Sequence, residues 1–135
     1  MPLTYPRARR IGLALIALMS ALGLIAVTPA TGGTINSNLQ IEAGETFELG
    51  GGQKGGFTVT GRNTGQVAVE VLGKAEGAGT PVARGTVAPG GEVKADFAPG
   101  EMALLRNTSG ARGAQLKLRI SGDTAALGMS YSANP

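Results

Sequence analysis

The sequence predicts an all-β domain: a single antiparallel β-sandwich, immunoglobulin-like or jelly-roll-like, of seven to nine short strands behind an N-terminal export segment. Three observations predict it. Apolar and polar residues alternate with period two, glycine-rich clusters interrupt the alternation at short intervals, and no window beyond the leader carries a helical period. Of the 23 glycines, all but Gly12 and Gly23 lie in residues 31–135. This enrichment far exceeds the average of about 7 %, and the glycines punctuate patterned segments as turns do.

The leader comes first. Arg7, Arg9 and Arg10 precede an uncharged apolar run from Ile11 to Val27, and Thr28-Pro29-Ala30 offers a small-residue exit. That order is the signature of a secretory signal peptide, with cleavage after Ala30. An uncleaved anchor is the alternative, because the run is longer than a usual signal core of about 7–15 residues but shorter than the roughly 20 that span a bilayer comfortably. In both cases the arginines stay inside and residues 31–135 cross to the periplasm or the exterior. Arg9-Arg10 makes only a faint twin-arginine motif, and without cysteine no lipid attachment follows the run.

Strands follow in order. Phe57–Thr60 and Gln115–Ile120 alternate cleanly, Val67, Val69 and Val71 share one face, and Leu127, Met129 and Tyr131 share another near the C-terminus. Shorter segments are predicted at Leu39–Glu42, Thr46–Leu49, Ala83–Val87, Val93–Phe97 and Met102–Arg106. Between them stand Ala43-Gly44, Gly50-Gly51-Gly52, Asn63-Thr64-Gly65, Pro89-Gly90-Gly91, Pro99-Gly100 and Ser109-Gly110, residues that accept or preset turn angles. Phe47, Phe57 and Phe97 fall at strand positions and read as core, and the chain has no Trp to stack on a sugar.

The stretch Phe57-Thr58-Val59-Thr60-Gly61-Arg62-Asn63-Thr64-Gly65 followed by Val67-Ala68-Val69-Glu70-Val71 resembles the strand, Asn-x-Gly turn and strand of bacterial immunoglobulin-like modules of the CARDB type. The resemblance spans about fifteen residues, and it implies a β-sandwich with a role in adhesion or interaction.

Charge and chemistry narrow the function classes. Of the 12 basic residues, the three leader arginines leave nine, which match the nine acids, so residues 31–135 carry no formal net charge. A neutral balance without a basic run argues against nucleic acid as a partner. The absence of cysteine in an exported domain places stability on sheet packing or on assembly with other chains.

With no His and no Cys, the commonest general base, the usual transition-metal ligands and the thiol nucleophile are missing. No catalytic, cofactor-binding or metal-binding residue is therefore assigned. Glu42, Glu45 and Glu48 are close enough for a carboxylate-only hydrolase, a remote alternative, but they read as solvated charges around a turn. Gly50–Gly56 with Lys54 lacks the Ser or Thr and the helix of a phosphate-binding loop and reads as a long flexible hairpin loop. Asp96 and Asp123 have no calcium-loop spacing. Asn107-Thr108-Ser109 matches a glycosylation acceptor and marks a surface loop.

The function expected is a non-catalytic interaction module or envelope structural component, with a protein partner, self or other. The alternative is a subunit of a surface or fibre assembly. There Thr34–Glu42, where Leu39 and Ile41 alternate with Gln40 and Glu42, would complete a neighbour's sheet by strand addition.

Overall fold

The computed structural model describes residues 32–77 and 79–135; the leader expectation, residues 1–30, lies outside them. Nine strands follow one another: β1 (Gly33–Ile41), β2 (Glu45–Gly50), β3 (Phe57–Asn63), β4 (Val69–Lys74), β5 (Val82–Val87), β6 (Glu92–Phe97), β7 (Met102–Asn107), β8 (Ala114–Gly122) and β9 (Met129–Ala133). They form two antiparallel sheets, β1-β8-β3-β6 (sheet A) and β5-β4-β7-β2-β9 (sheet B). Among the described residues no helix is long and apolar enough to cross a membrane.

The strand order selects between the two sandwich types. β1 pairs with β8, β2 with β7, β3 with β6 and β4 with β5, all antiparallel. This nested pairing is one long hairpin whose tip is the β4–β5 connection, wrapped so that successive arms fall in opposite sheets. That is the jelly roll. β9 is an addition, laid along β2 at the edge of sheet B.

The alternation in the sequence becomes the core. Ile41, Leu49, Val59, Val69, Leu105, Leu118 and Ile120 are buried between the sheets, joined by all three phenylalanines. Burying each such side chain stabilises the fold by about 1.5–3 kcal/mol. Phe57 and Phe97 face each other across the β3–β6 ladder with ring centroids 5.1 Å apart.

Each seam between the sheets has a side chain across it. On one side the Tyr131 hydroxyl (β9) donates to the Gln40 carbonyl (β1) at 3.0 Å, with the Tyr131 ring 5.3 Å from Phe47. On the other, Arg84 (β5) lies 4.8 Å over the Phe97 ring, donates to the Asp96 carbonyl of β6, and pairs with Glu101 at 3.0 Å.

Three sequence expectations need correction. Gly50–Gly56 is not a hairpin loop, since β2 and β3 lie in different sheets. It crosses between them and is pinned by buried Gln53, whose amide donates to the Glu101 carbonyl at 2.8 Å and accepts from the Gly51 N–H at 2.7 Å. Asn107 is no surface marker. It is 0 % exposed, and its side-chain amide reaches the carbonyls of Ile41, Glu42 and Arg112 at 2.8–3.1 Å, so the folded chain offers no glycosylation acceptor there. Finally, the first strand, expected at Leu39–Glu42, begins at Gly33, ends at Ile41 and pairs with β8 over nine residues.

Candidate functional site

The two outer faces of the sandwich differ, and the difference locates the candidate site. On sheet B the outward positions include Leu72 and Leu104, paired across β4 and β7. Leu104 is buried there outside the main core, between Leu72 and Glu48 of β2. Glu70 of the same face lies 3.8 Å from Arg106. On sheet A no outward position of a strand is apolar.

The sheet A face is read rung by rung from the register. One rung runs Asn36, Arg119, Thr60, Lys94 across β1, β8, β3 and β6, and the next runs Asn38, Lys117, Arg62, Glu92. Thr34, Ser121, Thr58 and Asp96 form a third, and Gln40 stands opposite Gln115. Neighbouring strands are about 4.8 Å apart and same-face residues along a strand about 6.7 Å. Arg62, Lys94, Lys117 and Arg119 therefore share a patch of two rungs. These cations belong to three different strands, which is why a linear reading finds no basic run.

The two acids on this face leave half of that charge uncompensated. Glu92 pairs with Arg62 at 2.9 Å, and Asp96 accepts from the Thr58 hydroxyl at 2.6 Å. Lys94, Lys117 and Arg119 make no ion pair among the described residues. Lys117 also sits directly opposite Arg62, a like-charge cross-strand pair that disfavours the sheet.

Gly61 shapes the surface between these side chains. In mid-strand it approaches β8 so closely that a Cβ there would collide with the Lys117 carbonyl oxygen. Gly61 and Lys117 both line two shallow depressions, ≈ 310 Å³ with Asn36, Asn38 and Arg119, and ≈ 640 Å³ with Thr60, Arg62 and Lys94. A third, ≈ 310 Å³, continues past Lys117 to Gln40 and Gln115. The face thus offers cationic groups set among amides and hydroxyls, open to solvent.

The residues weighed for catalysis sit around one turn, where the Glu45 N–H donates to the Glu42 carbonyl at 3.1 Å. Glu42 lies on the β1–β2 connection and Glu45 opens β2, while Glu48 faces outward from β2 and accepts hydrogen bonds from Ser132 at 2.8 Å and Ser130 at 3.2 Å. None of the three lines a depression on the cationic face. Asp123 accepts from the Gly55 N–H at 2.7 Å, fastening the glycine loop. Among the described residues no three of His, Cys, Asp and Glu come together to hold a metal ion.

Part of the cationic face is visible in the sequence, since Gln115-Leu116-Lys117-Leu118-Arg119 places both cations on one side of a strand. Joining them to Arg62 and Lys94 requires the pairing. No protein-family model matches this sequence, and no curated protein or solved structure shows significant similarity to it.

Proposed function

We propose that this chain is an exported, non-catalytic binding module that holds an acidic polysaccharide of the cell envelope or surface on the outer face of sheet A. One observation carries the reading: four cations from three strands share two adjacent rungs, with Lys117 facing Arg62 directly. Glu92 already stands opposite Arg62 on the β6 side; a sequence under pressure for stability alone would not place a cation opposite it on the β8 side as well.

The neighbours of the cations favour a glycan over other polyanions. Asn36, Asn38, Thr60 and Gln115 offer both donors and acceptors, which suit sugar hydroxyls set between carboxylates. A duplex nucleic acid needs a larger array of phosphate contacts, and a membrane surface would be met by apolar side chains that this face lacks. Export, inferred from the leader, puts the module where such polymers are. The partner expected from the sequence, another protein, fits this face less well, because it has no aromatic anchor of the kind that dominates protein interfaces.

A panel of soluble polysaccharides tests the reading. The protein is expected to bind polymers rich in uronic acids and to ignore their carboxyl-reduced counterparts, with affinity falling as salt is raised. Equal binding to the reduced polymers, or binding only to duplex DNA or anionic vesicles, would refute it. The reading as a subunit of an assembly joined by strand addition rests on a different observation, the open edge of β1.

A further inference from the structure

Sheet A ends at β1, and this edge is built unlike the others. β6, its opposite edge, alternates Glu92, Lys94 and Asp96. In sheet B, β5 has a register shift against β4, and β9 is only five residues long. Charges, irregularities and shortness are the usual means of keeping an edge from pairing with another chain. β1 has none of them: nine residues, no charge, no proline and an unbroken register.

Its free backbone groups can be identified. The Gln40 carbonyl accepts from Tyr131 and so points away from β8. Alternation along the strand turns the N–H and C=O of Thr34, Asn36 and Asn38 the same way. By that alternation it is Ile35, Ser37, Leu39 and Ile41 that turn their backbone groups to β8, and these three turn theirs to the open edge.

We propose that the chain forms a two-fold dimer in which β1 pairs antiparallel with β1 of a second copy, about an axis through Ser37. The evidence for a second copy, over a foreign strand, is self-complementarity. Around Ser37 the strand reads Asn36 and Asn38, then Ile35 and Leu39, then Thr34 and Gln40. In that register amide faces amide, apolar faces apolar, and every contact occurs twice, as an isologous interface requires. Ser37 is also the midpoint of β1, so the register uses its full length.

The seam beside β1 adds to the argument. Met129 and Tyr131 are 47 % and 50 % exposed, and Ile35 and Leu127 are only partly buried. A second copy docked along β1 would cover apolar surface that the single chain leaves open. The cations do not oppose it: Lys117 of one copy lies three strand spacings, about 14 Å, from Arg119 of the other, beyond the screening length of about 8 Å at physiological salt. The dimer joins two copies of sheet A into one eight-stranded sheet with both cationic patches on the same side. The pairing itself does not depend on what that face binds.

The test uses the protein purified from its own cells, with the chain's mass measured by mass spectrometry. Light scattering should give twice that mass. Asn36→Glu with Asn38→Glu sets like charges opposite each other only in the dimer and should halve the mass; Asn36→Lys with Asn38→Lys should halve it too, although its lysines also face Arg119 and Lys117 within the single chain. Mixing the two variants should restore the doubled mass. A wild-type mass of one chain, or a doubled mass that survives both variants, would overturn the proposal.

A cysteine trap keeps the test independent of how the charge variants fold. Ser37 meets its own mate in a non-hydrogen-bonded pair with Cα atoms about 4.5 Å apart, within disulfide range. With oxidised glutathione, Ser37→Cys should give a covalent dimer and Thr34→Cys should not. Equal cross-linking of the two, or none at Ser37→Cys, would overturn it as well.

Discussion

Asn63 and Asn107 occupy equivalent places in the two sheets, each the last residue of an interior strand, each fully buried, each fastening the loop that follows it. The Asn63 Oδ1 accepts from the Gly65 N–H at 3.0 Å and the Asn107 Oδ1 from the Ser109 N–H at 2.8 Å. Their amides hold one carbonyl of the following loop and others far along the chain, Val67 and Val87 for Asn63, and Arg112, Ile41 and Glu42 for Asn107. Both follow an arginine and precede a threonine, so a short sequence echo, Arg-Asn-Thr, marks the same device twice.

Replacing either residue should be costly, because several buried backbone groups lose their partner at once. Asn107→Ala is expected to destabilise by about 2–4 kcal/mol, and Asn107→Asp by more, since a carboxylate would face three carbonyls. Urea denaturation checks both. A loss of under about 0.5 kcal/mol, the range of ordinary surface changes, would show that water replaces these bonds.

Gly61→Ala tests the close approach of β3 to β8. The added methyl meets backbone, which cannot rotate aside, so a loss of about 1–3 kcal/mol is expected, as for other overpacking changes. A thermal melt unchanged by the substitution would contradict the packing described.

The seams make a graded prediction. Tyr131→Phe removes one half-exposed hydrogen bond and should cost about 0.5–1 kcal/mol. Arg84→Ala removes an ion pair, a carbonyl contact and the stacking over Phe97 together, and should cost more, about 1–2 kcal/mol. The reverse order in denaturation midpoints would mean that the Arg84 seam is the weaker one.

Lys117→Glu separates binding from stability. Opposite Arg62 it replaces a like-charge pair with an attractive one, so the variant should gain about 0.2–1 kcal/mol while binding the acidic polymer more weakly. Loss of both properties would instead assign Lys117 a structural role.

Much of the fold is legible in the sequence because burial follows period two. β8 and β3 stand out for that reason, and the three phenylalanines are core residues as predicted. β1 is only half visible: its inward positions run Ile35, Ser37, Leu39, Ile41, and the serine breaks the apolar pattern. Val67 shares the buried face of Val69, yet the β4 ladder starts at Val69, because the Val67 carbonyl is taken by Asn63.

The site is less legible than the fold. Lys94 and Arg119 are 25 positions apart in sequence and two strands apart in space. Only long-range pairing joins them, and a net charge of zero conceals the patch. The glycosylation triplet misleads for a related reason: polar residues at a strand end read as exposed unless the loops they hold are known.

The most direct measurement compares two double variants in one titration against an acidic polysaccharide. Lys117→Glu with Arg119→Glu and Lys54→Glu with Arg112→Glu change net charge equally, but Lys54 and Arg112 are exposed on loops and line none of the depressions on the cationic face. The account predicts that the first pair abolishes binding at physiological salt and the second leaves most of it. Equal loss in both would contradict it, because attraction would then follow net charge and not the face of sheet A.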